Sequence, residues 1–333
     1  MDNLKIASVT TLKAPLDITL SFIRYHLNTG IDHMYLFFDD PLDEAISKVS
    51  DNDRVSIFIC DKNHWEKFGV KPNDAVQIKQ EANATHAFHL AHDDGFEWLI
   101  HIDSDELIYG KTSLKKHFQK MPDYVDVVRF PVMESSPQQL DYENSFTDIN
   151  YFRLFTALPS QVEDFFTHPN DKKDQEMTIK IWTYKSKIAK ALGSKNALRK
   201  KFLFGHVNGK AAIRTSAAIE KVYCHLPKPK DGETLGLIVS DSYFLLHYDC
   251  MGFTSWKYKW SNRINGDHKF THGRLSKFRV DLEKEIENAL SDDNKLKSLY
   301  KNLYTFSSYE YFLLKSLGLI RKVVINPKLF EKG

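Results

Sequence analysis

Cysteine is scarce: Cys60, Cys224 and Cys250 are the only three in 333 residues, an odd number with no CxxC pair. That composition excludes a disulfide framework and a cysteine zinc site, and a reducing compartment is expected. Long apolar runs are missing as well. No stretch approaches the roughly 18 apolar residues a spanning helix needs, and the opening MDNLKIASVT has no basic segment followed by an apolar one. The expectation is a cytoplasmic protein that touches a membrane at most peripherally. With 46 Lys plus Arg against 44 Asp plus Glu, charge of one sign is lacking too, which argues against a general nucleic-acid binder. No GxGxxG follows the first strand-like run, so the dinucleotide fingerprint of a dehydrogenase is absent. Internal repeats and low-complexity tracts are absent from the sequence.

What is present is a chain of 42% hydrophobic and 27% charged residues, enough for one large or two modest domains. Its first hundred residues alternate strand-like and helical patterns. LKIASVT (Leu4 to Thr10), HMYLFF (His33 to Phe38), RVSIFIC (Arg54 to Cys60) and FEWLIHI (Phe96 to Ile102) read as strands. Between them, Leu16, Leu20, Ile23 and Leu27 share one helical face ending at Gly30. A short helix is expected over Leu42 to Val49 and a longer one over Asn73 to His92. That alternation predicts a doubly wound, mostly parallel α/β sheet with helices on both faces. VDVVRFPVM (Val125 to Met133) and GLIVSDSYFLLHY (Gly236 to Tyr248) each read as one further strand. The stretch from Ser135 to Asp174 reads as long loops, and the last fifty residues as mainly helical.

Ligands of such sheets bind at the carboxyl ends of the strands. Acids stand there: Asp39 and Asp40 after the second strand, Asp61 after the third, Asp103 and Asp105 after the fourth. Two carboxylates closing a buried run cost several kcal/mol unless a positive charge compensates. In an extended segment Asp103 and Asp105 face one way, which suits a Mg²⁺ or Mn²⁺ ion carrying a diphosphate. The alternative is an Asp-rich loop in which Ser104 or Asp105 caps a following helix.

SFIRYHLNTGIDHMYLFFDD (Ser21 to Asp40) followed by FEWLIHIDSDELI resembles glycosyltransferases of the GT-A fold, in the family-2-like and family-92-like group. GHVNGKAAIR (Gly205 to Arg214), YCHLP (Tyr223 to Pro227) and LLHYDCMGFTSWKYKWSNRING (Leu245 to Gly266) continue the likeness more weakly. The resemblance implies a catalytic domain over residues 1–270, with a nucleotide-binding half to 110 and an acceptor-binding half from 111, and a helical extension over 271–333. It implies that Asp103 and Asp105 form a DxD motif and that His247 adds a metal ligand. Asp39, Asp61, Gln80, Asn83 and Ser104 fall where such enzymes contact the donor, and Lys257, Lys259 and Arg263 are candidates to neutralise its diphosphate. The implied reaction moves one sugar from a nucleotide-sugar donor, UDP-linked by expectation, to a glycan or lipid-linked acceptor in surface polysaccharide assembly. A QxxRW signature is absent, which argues against processive polymerisation.

An inverting enzyme needs a carboxylate to take the acceptor proton. Glu134 and Asp249 are the candidates, with Asp241 behind them. A nucleotidyltransferase or sugar-nucleotide hydrolase would share the nucleotide and metal sites, and an inactive carbohydrate-binding protein is the non-enzyme alternative. His86, His89 and His92 recur every third residue on a helix, drift by about 60° per step, and read as a solvated face rather than a zinc site. Thirteen Lys or Arg against Glu220 between Lys180 and Lys230 mark an anion-attracting segment. YEYFLLKSLGLIRKVVI (Tyr309 to Ile325) mixes basic and apolar residues, compatible with an interfacial helix on an anionic bilayer or with packing on the catalytic domain.

Overall fold

The structure, a computed structural model, describes residues 4–154, 169–194, 208–265 and 277–331. Lys195, Arg199, Lys200 and Lys201 of the basic segment, residues 205–207 of the GHVNGKAAIR element and much of the expected long loop lie outside the described residues.

The chain begins β1 (Ile6–Leu12), α1 (Leu16–Thr29), β2 (His33–Phe38), α2 (Ala45–Val49), β3 (Val55–Ile59), α3 (Lys62–Lys67), α4 (Val76–Asp93) and β4 (Trp98–His101). It continues through β5 (Glu106–Gly110), α5 (Leu114–Phe118), β6 (Val127–Phe130), β7 (Val132–Ser135), α6 (Ser145–Asp148), β8 (Tyr151–Leu154) and α7 (Pro169–Ala191). Next come β9 (Lys210–Arg214), β10 (Ile219–Val222), β11 (Pro227–Pro229), β12 (Leu237–Val239), β13 (Tyr243–His247) and α8 (Phe253–Ile264). The last elements are α9 (Lys277–Ala289), α10 (Asp293–Tyr304), α11 (Ser308–Ser316), β14 (Ile320–Lys322) and a 3-10 turn, Pro327–Phe330.

Seven strands form the larger sheet in the order β12-β6-β9-β4-β1-β2-β3, parallel except for β9, which runs against both neighbours. This is the mixed α/β, mostly parallel architecture expected from the sequence. Both faces are buried: Met34, Leu36 and Phe38 of β2 enter one core with α1, and Tyr35 and Phe37 enter the other with α4. The second sheet, β14-β8-β7-β13-β5, packs beside it.

Two expected single strands are each two. VDVVRFPVM breaks at Pro131 between β6 and β7, and GLIVSDSYFLLHY between β12 and β13; the turn that ends FEWLIHI, between β4 and β5, is a third break in the chain. At all three breaks the chain leaves the large sheet for the small one. Pro131, with no N–H to give a ladder, marks one such exit. The two sheets are therefore sewn together at one seam, and the turn between β4 and β5 lies on it.

Gly30 ends α1 in the left-handed region at φ 114°, as its position after the apolar face predicted. His26, in the same helix, is fully buried and joins α1 to β5: its Nδ1 donates to the Phe22 carbonyl at 2.9 Å and its Nε2 accepts from the Ile108 N–H at 3.3 Å. Burial pushes its pKa down from 6.5 to about 4. Between those values the unfolded chain binds a proton that the folded chain refuses, so stability falls on acidification through that window, by about 3 kcal/mol for this residue. Unfolding midpoints measured from pH 7 to pH 4 are expected to drop less steeply for His26→Gln than for the unaltered chain; parallel slopes would contradict the assignment.

Among the described residues the C-terminal segment is helical apart from β14 and the 3-10 turn. α9 and α10 build a third core with Trp256 and Trp260 of α8, but β14 adds an edge strand beside β8. Tyr309 to Ile325 is α11 plus that strand, not one interfacial helix, and Leu313, Leu314, Leu319 and Ile320 are buried in the main core. No helix among the described residues is long and apolar enough to cross a membrane.

Candidate functional site

Residues 103–106 close a tight turn in which the Glu106 N–H donates to the Asp103 carbonyl at 3.0 Å. The Glu106 side chain returns the contact, Oε2 accepting from the Asp103 N–H at 2.9 Å. The two motif aspartates are thus turn residues, not members of an extended strand. The next element is β5, so no helix is there for Ser104 or Asp105 to cap. Their carboxylates keep partial exposure, 25% for Asp103 and 30% for Asp105, while Glu106 behind them is sealed.

The positive charge facing Asp103 is a lysine. Lys210, first residue of β9 and buried, places Nζ 2.9 Å from Asp103 Oδ2 and 4.0 Å from Glu106 Oε2. Gly209 makes this possible: at φ +71° a Cβ there would lie 2.0 Å from the Phe130 carbonyl oxygen, so only glycine lets β9 start against the end of β6. Burial works against charge at Asp103, but the Lys210 ammonium outweighs it and holds the carboxyl below its usual range. Glu106 is driven the other way, by burial and then by the carboxylates of Asp103 and Asp105. Burial and the Lys210 charge keep two neighbouring imidazoles neutral, His101 pushed down to about 3 and His225 to about 4. Cys224 is a buried thiol, pushed up to about 12 by burial, with Sγ 3.5 Å from Gln80 Oε1.

Asp105 faces a second cation. His247 Nε2 lies 3.8 Å and Lys259 Nζ 3.6 Å from its Oδ2, and Lys259 also donates to Asp249 Oδ1 at 2.9 Å. His247 ends β13 with Glu106 opposite it on β5 and Glu134 opposite it on β7, and Glu134 faces Arg153 on β8. A buried polar row, Glu106, His247, Glu134 and Arg153, therefore crosses the small sheet behind the seam. Arg153 anchors the row by donating to the Leu303 and Tyr304 carbonyls at the end of α10.

Helix α4 ties the other strand ends together. Lys79 Nζ reaches Asp39 at 2.8 and 3.0 Å, Gln80 Nε2 donates to Asp103 Oδ1 at 2.8 Å, and Asn83 donates to Thr11 Oγ1 at 3.0 Å. Asn83 also pairs with His64 and has no exposed surface, so it braces the strand ends rather than facing a ligand. Asp61 caps α3 by accepting from the His64 N–H at 2.8 Å.

The structure brings together Asp103, Asp105, His247, Gln80, Asp249 and Lys259 of the expected set. Lys257 points elsewhere, paired at 2.6 Å with Asp293 of α10, and Arg263 stacks on Trp260 at 4.5 Å. Glu134, expected as a base, is wholly buried. A proton acceptor must touch the acceptor hydroxyl, so Asp249 is the better placed of the two. Lys210 and Glu106 were assigned no role on sequence grounds; the glycine-lysine pair inside GHVNGKAAIR was the available signal. Among the described residues, no three His, Cys, Asp or Glu side chains are grouped as a ready metal site.

Two glycosyltransferase-like proteins of Arabidopsis thaliana are similar to the chain. One is 30% identical over 180 residues, covering 47% of this chain and 40% of the relative, and the other 31% over 170 residues, covering 45% and 33%. The chain therefore matches less than half the length of either relative. The solved structure of S. aureus TarS covers 94% of this chain and 79% of its own at 10% identity and a TM-score of 0.35, too distant to carry an argument. Residues 12–286 match glycosyltransferase family 92, and that span takes in the turn, β9, β13 and α8, so the chain belongs to glycosyltransferase family 92.

Proposed function

We propose that the chain moves a single sugar, with inversion, from a UDP-linked donor to a hydroxyl of a glycan or lipid-linked acceptor in surface polysaccharide assembly. The observation that carries this reading is the seam turn, where two half-open carboxylates stand between the ammonium groups of Lys210 and Lys259. Such a site suits a diphosphate that arrives with its own cation.

A divalent ion, Mn²⁺ or Mg²⁺, fits at Asp105 and His247. Their 3.8 Å separation falls within the roughly 3–4 Å between two donors on one ion with bonds of about 2.1 Å. Asp103, with Oδ2 on Lys210 and Oδ1 on Gln80, would stand beside the ion and help to hold it. When bound, the ion supplies fixed positive charge against the leaving diphosphate.

Lys259 adds charge at the same place, and being held by both Asp105 and Asp249 it needs little reorganisation as the bond to the sugar breaks. Asp249 takes the acceptor proton. Asp39, Asp61, Ser104 and Gln80, along the carboxyl edge of the sheet, hold the nucleotide.

The test is thermal unfolding of the protein with a panel of nucleoside diphosphates, with and without Mn²⁺. One nucleotide together with the metal is expected to raise stability by about 2.7 kcal/mol at a hundredfold excess over its Kd, with neither effective alone. If no pair shifts the midpoint, the seam is not a donor site.

A further inference from the structure

Away from the seam, α7 carries an apolar stripe of which Ile181, Tyr184 and Leu192 stay exposed. Trp182 and Ala189 turn toward the main core, and the Trp182 indole N–H donates to the Leu154 carbonyl at 2.9 Å. At about 100° per residue, Ile181, Tyr184, Ile188 and Leu192 fall within an arc of about 80° beside that packing face. Tyr184 is 68% exposed and Leu192 50%.

Helix α11 extends the same surface. Tyr309 Oη donates to the Leu192 carbonyl at 2.8 Å, and Lys185 Nζ approaches the turn at Gly318 that follows α11. The outward side chains of α11 here are Tyr309 and Phe312, the latter 69% exposed. Large aromatic and aliphatic groups thus lie exposed on two adjacent helices, a grouping that marks an interaction surface rather than scattered exposure.

From Lys180 onward the charged residues of α7 beside these side chains are all basic. On the helical wheel Lys180 and Lys187 flank one side of the α7 stripe and Lys185 the other, and the exposed Lys315, Arg321 and Lys322 continue the rim from α11 into β14. From Lys180 to Ser194 the chain holds no acid, and the one acid of α11, Glu310, is buried in its own capping box with Ser307. Apolar groups ringed by lysines match a surface with anionic heads above hydrocarbon. A second copy of the chain does not fit, because an isologous contact would set the two basic rims against each other.

We propose that α7 and α11 together dock the protein on an anionic lipid bilayer, with Tyr184, Leu192 and Phe312 entering the interface and the lysine rim meeting the head groups. This surface is independent of the donor site at the seam.

The experiment is sedimentation of the full-length protein with vesicles of phosphatidylcholine alone and with about 30% phosphatidylglycerol added, at low and high salt. Binding is expected to be at least about tenfold stronger to the anionic vesicles and to weaken with salt. Tyr184→Glu combined with Phe312→Glu, and separately Lys180→Glu combined with Lys187→Glu, are each expected to lower it about tenfold or more with unchanged circular dichroism. Equal affinity for both vesicle types, no binding to either, or full binding by both double variants would overturn the proposal. So would a dimer in solution that the Tyr184 and Phe312 variant dissolves, which would assign the face to a second copy.

Discussion

Lys210→Met is expected to cost about 3–5 kcal/mol of stability, because it removes the positive member of a buried charge cluster and keeps the acids. Lys210 has 1% of its side chain exposed and Glu106 none, so water cannot replace the lost ammonium at either position. Asp103 would be left with Gln80 as its donor and Glu106 would lose its nearest cation. Urea unfolding of the variant measures the loss. Adding Asp103→Asn to Lys210→Met should recover part of it, since that removes the uncompensated carboxylate; a double variant no more stable than the single one would mean that the pair is not coupled. A loss below about 1 kcal/mol would place the compensation of Asp103 elsewhere.

Sequence reasoning stops short of this pair. That two acids closing a buried strand require a positive partner was legible from HIDSDELI alone, but the partner lies more than a hundred residues away. Lys210 reaches Asp103 only because β9 inserts antiparallel between β4 and β6, and a strand's place in a sheet is not encoded in its own hydrophobic pattern. Local features transferred well for the same reason in reverse. The apolar face of α1, Gly30 behind it and the bounds of β2 depend on neighbours a few residues apart, and each is found where expected.

The two strands that proved to be four share one cause. A chain crossing from one sheet to another can stay apolar throughout, since both sides of the crossing are buried, so the pattern of VDVVRFPVM or GLIVSDSYFLLHY does not record the change of sheet. Only Pro131 left a mark. The crossing also changes what the acids do: the turn, rather than strand alternation, turns Asp103 toward Lys210 and Asp105 toward His247 and Lys259. Glu134 illustrates the opposite error. One residue beyond a strand-like run it reads as an acid at an open edge, but β7 carries it into the interior of the small sheet beside Arg153.

The two aspartates of the motif should consequently separate in experiment. Asp105→Asn is expected to lower turnover by about 10²–10³-fold while leaving the unfolding midpoint nearly unchanged. The side chain is 30% exposed, the amide is isosteric, and Lys259 retains Asp249 at 2.9 Å as its partner, so little in the fold depends on the lost charge. Asp103→Asn takes from the sealed Lys210 its nearest counter-ion and should cost about 3 kcal/mol before any effect on catalysis is counted. Turnover is read as release of nucleoside diphosphate from the nucleotide sugar that the unfolding panel selects, and stability by urea titration of the same samples. If Asp105→Asn retained full turnover, the carboxylate would be an accessory to Lys259 and the ion would have to be held elsewhere. If the two variants lost equal stability, the division of labour drawn from Lys210 would fail. A metal-dependent gain in stability that survives Asp103→Asn but not Asp105→Asn would fix which end of the turn meets the ion, and with it the side from which the diphosphate leaves.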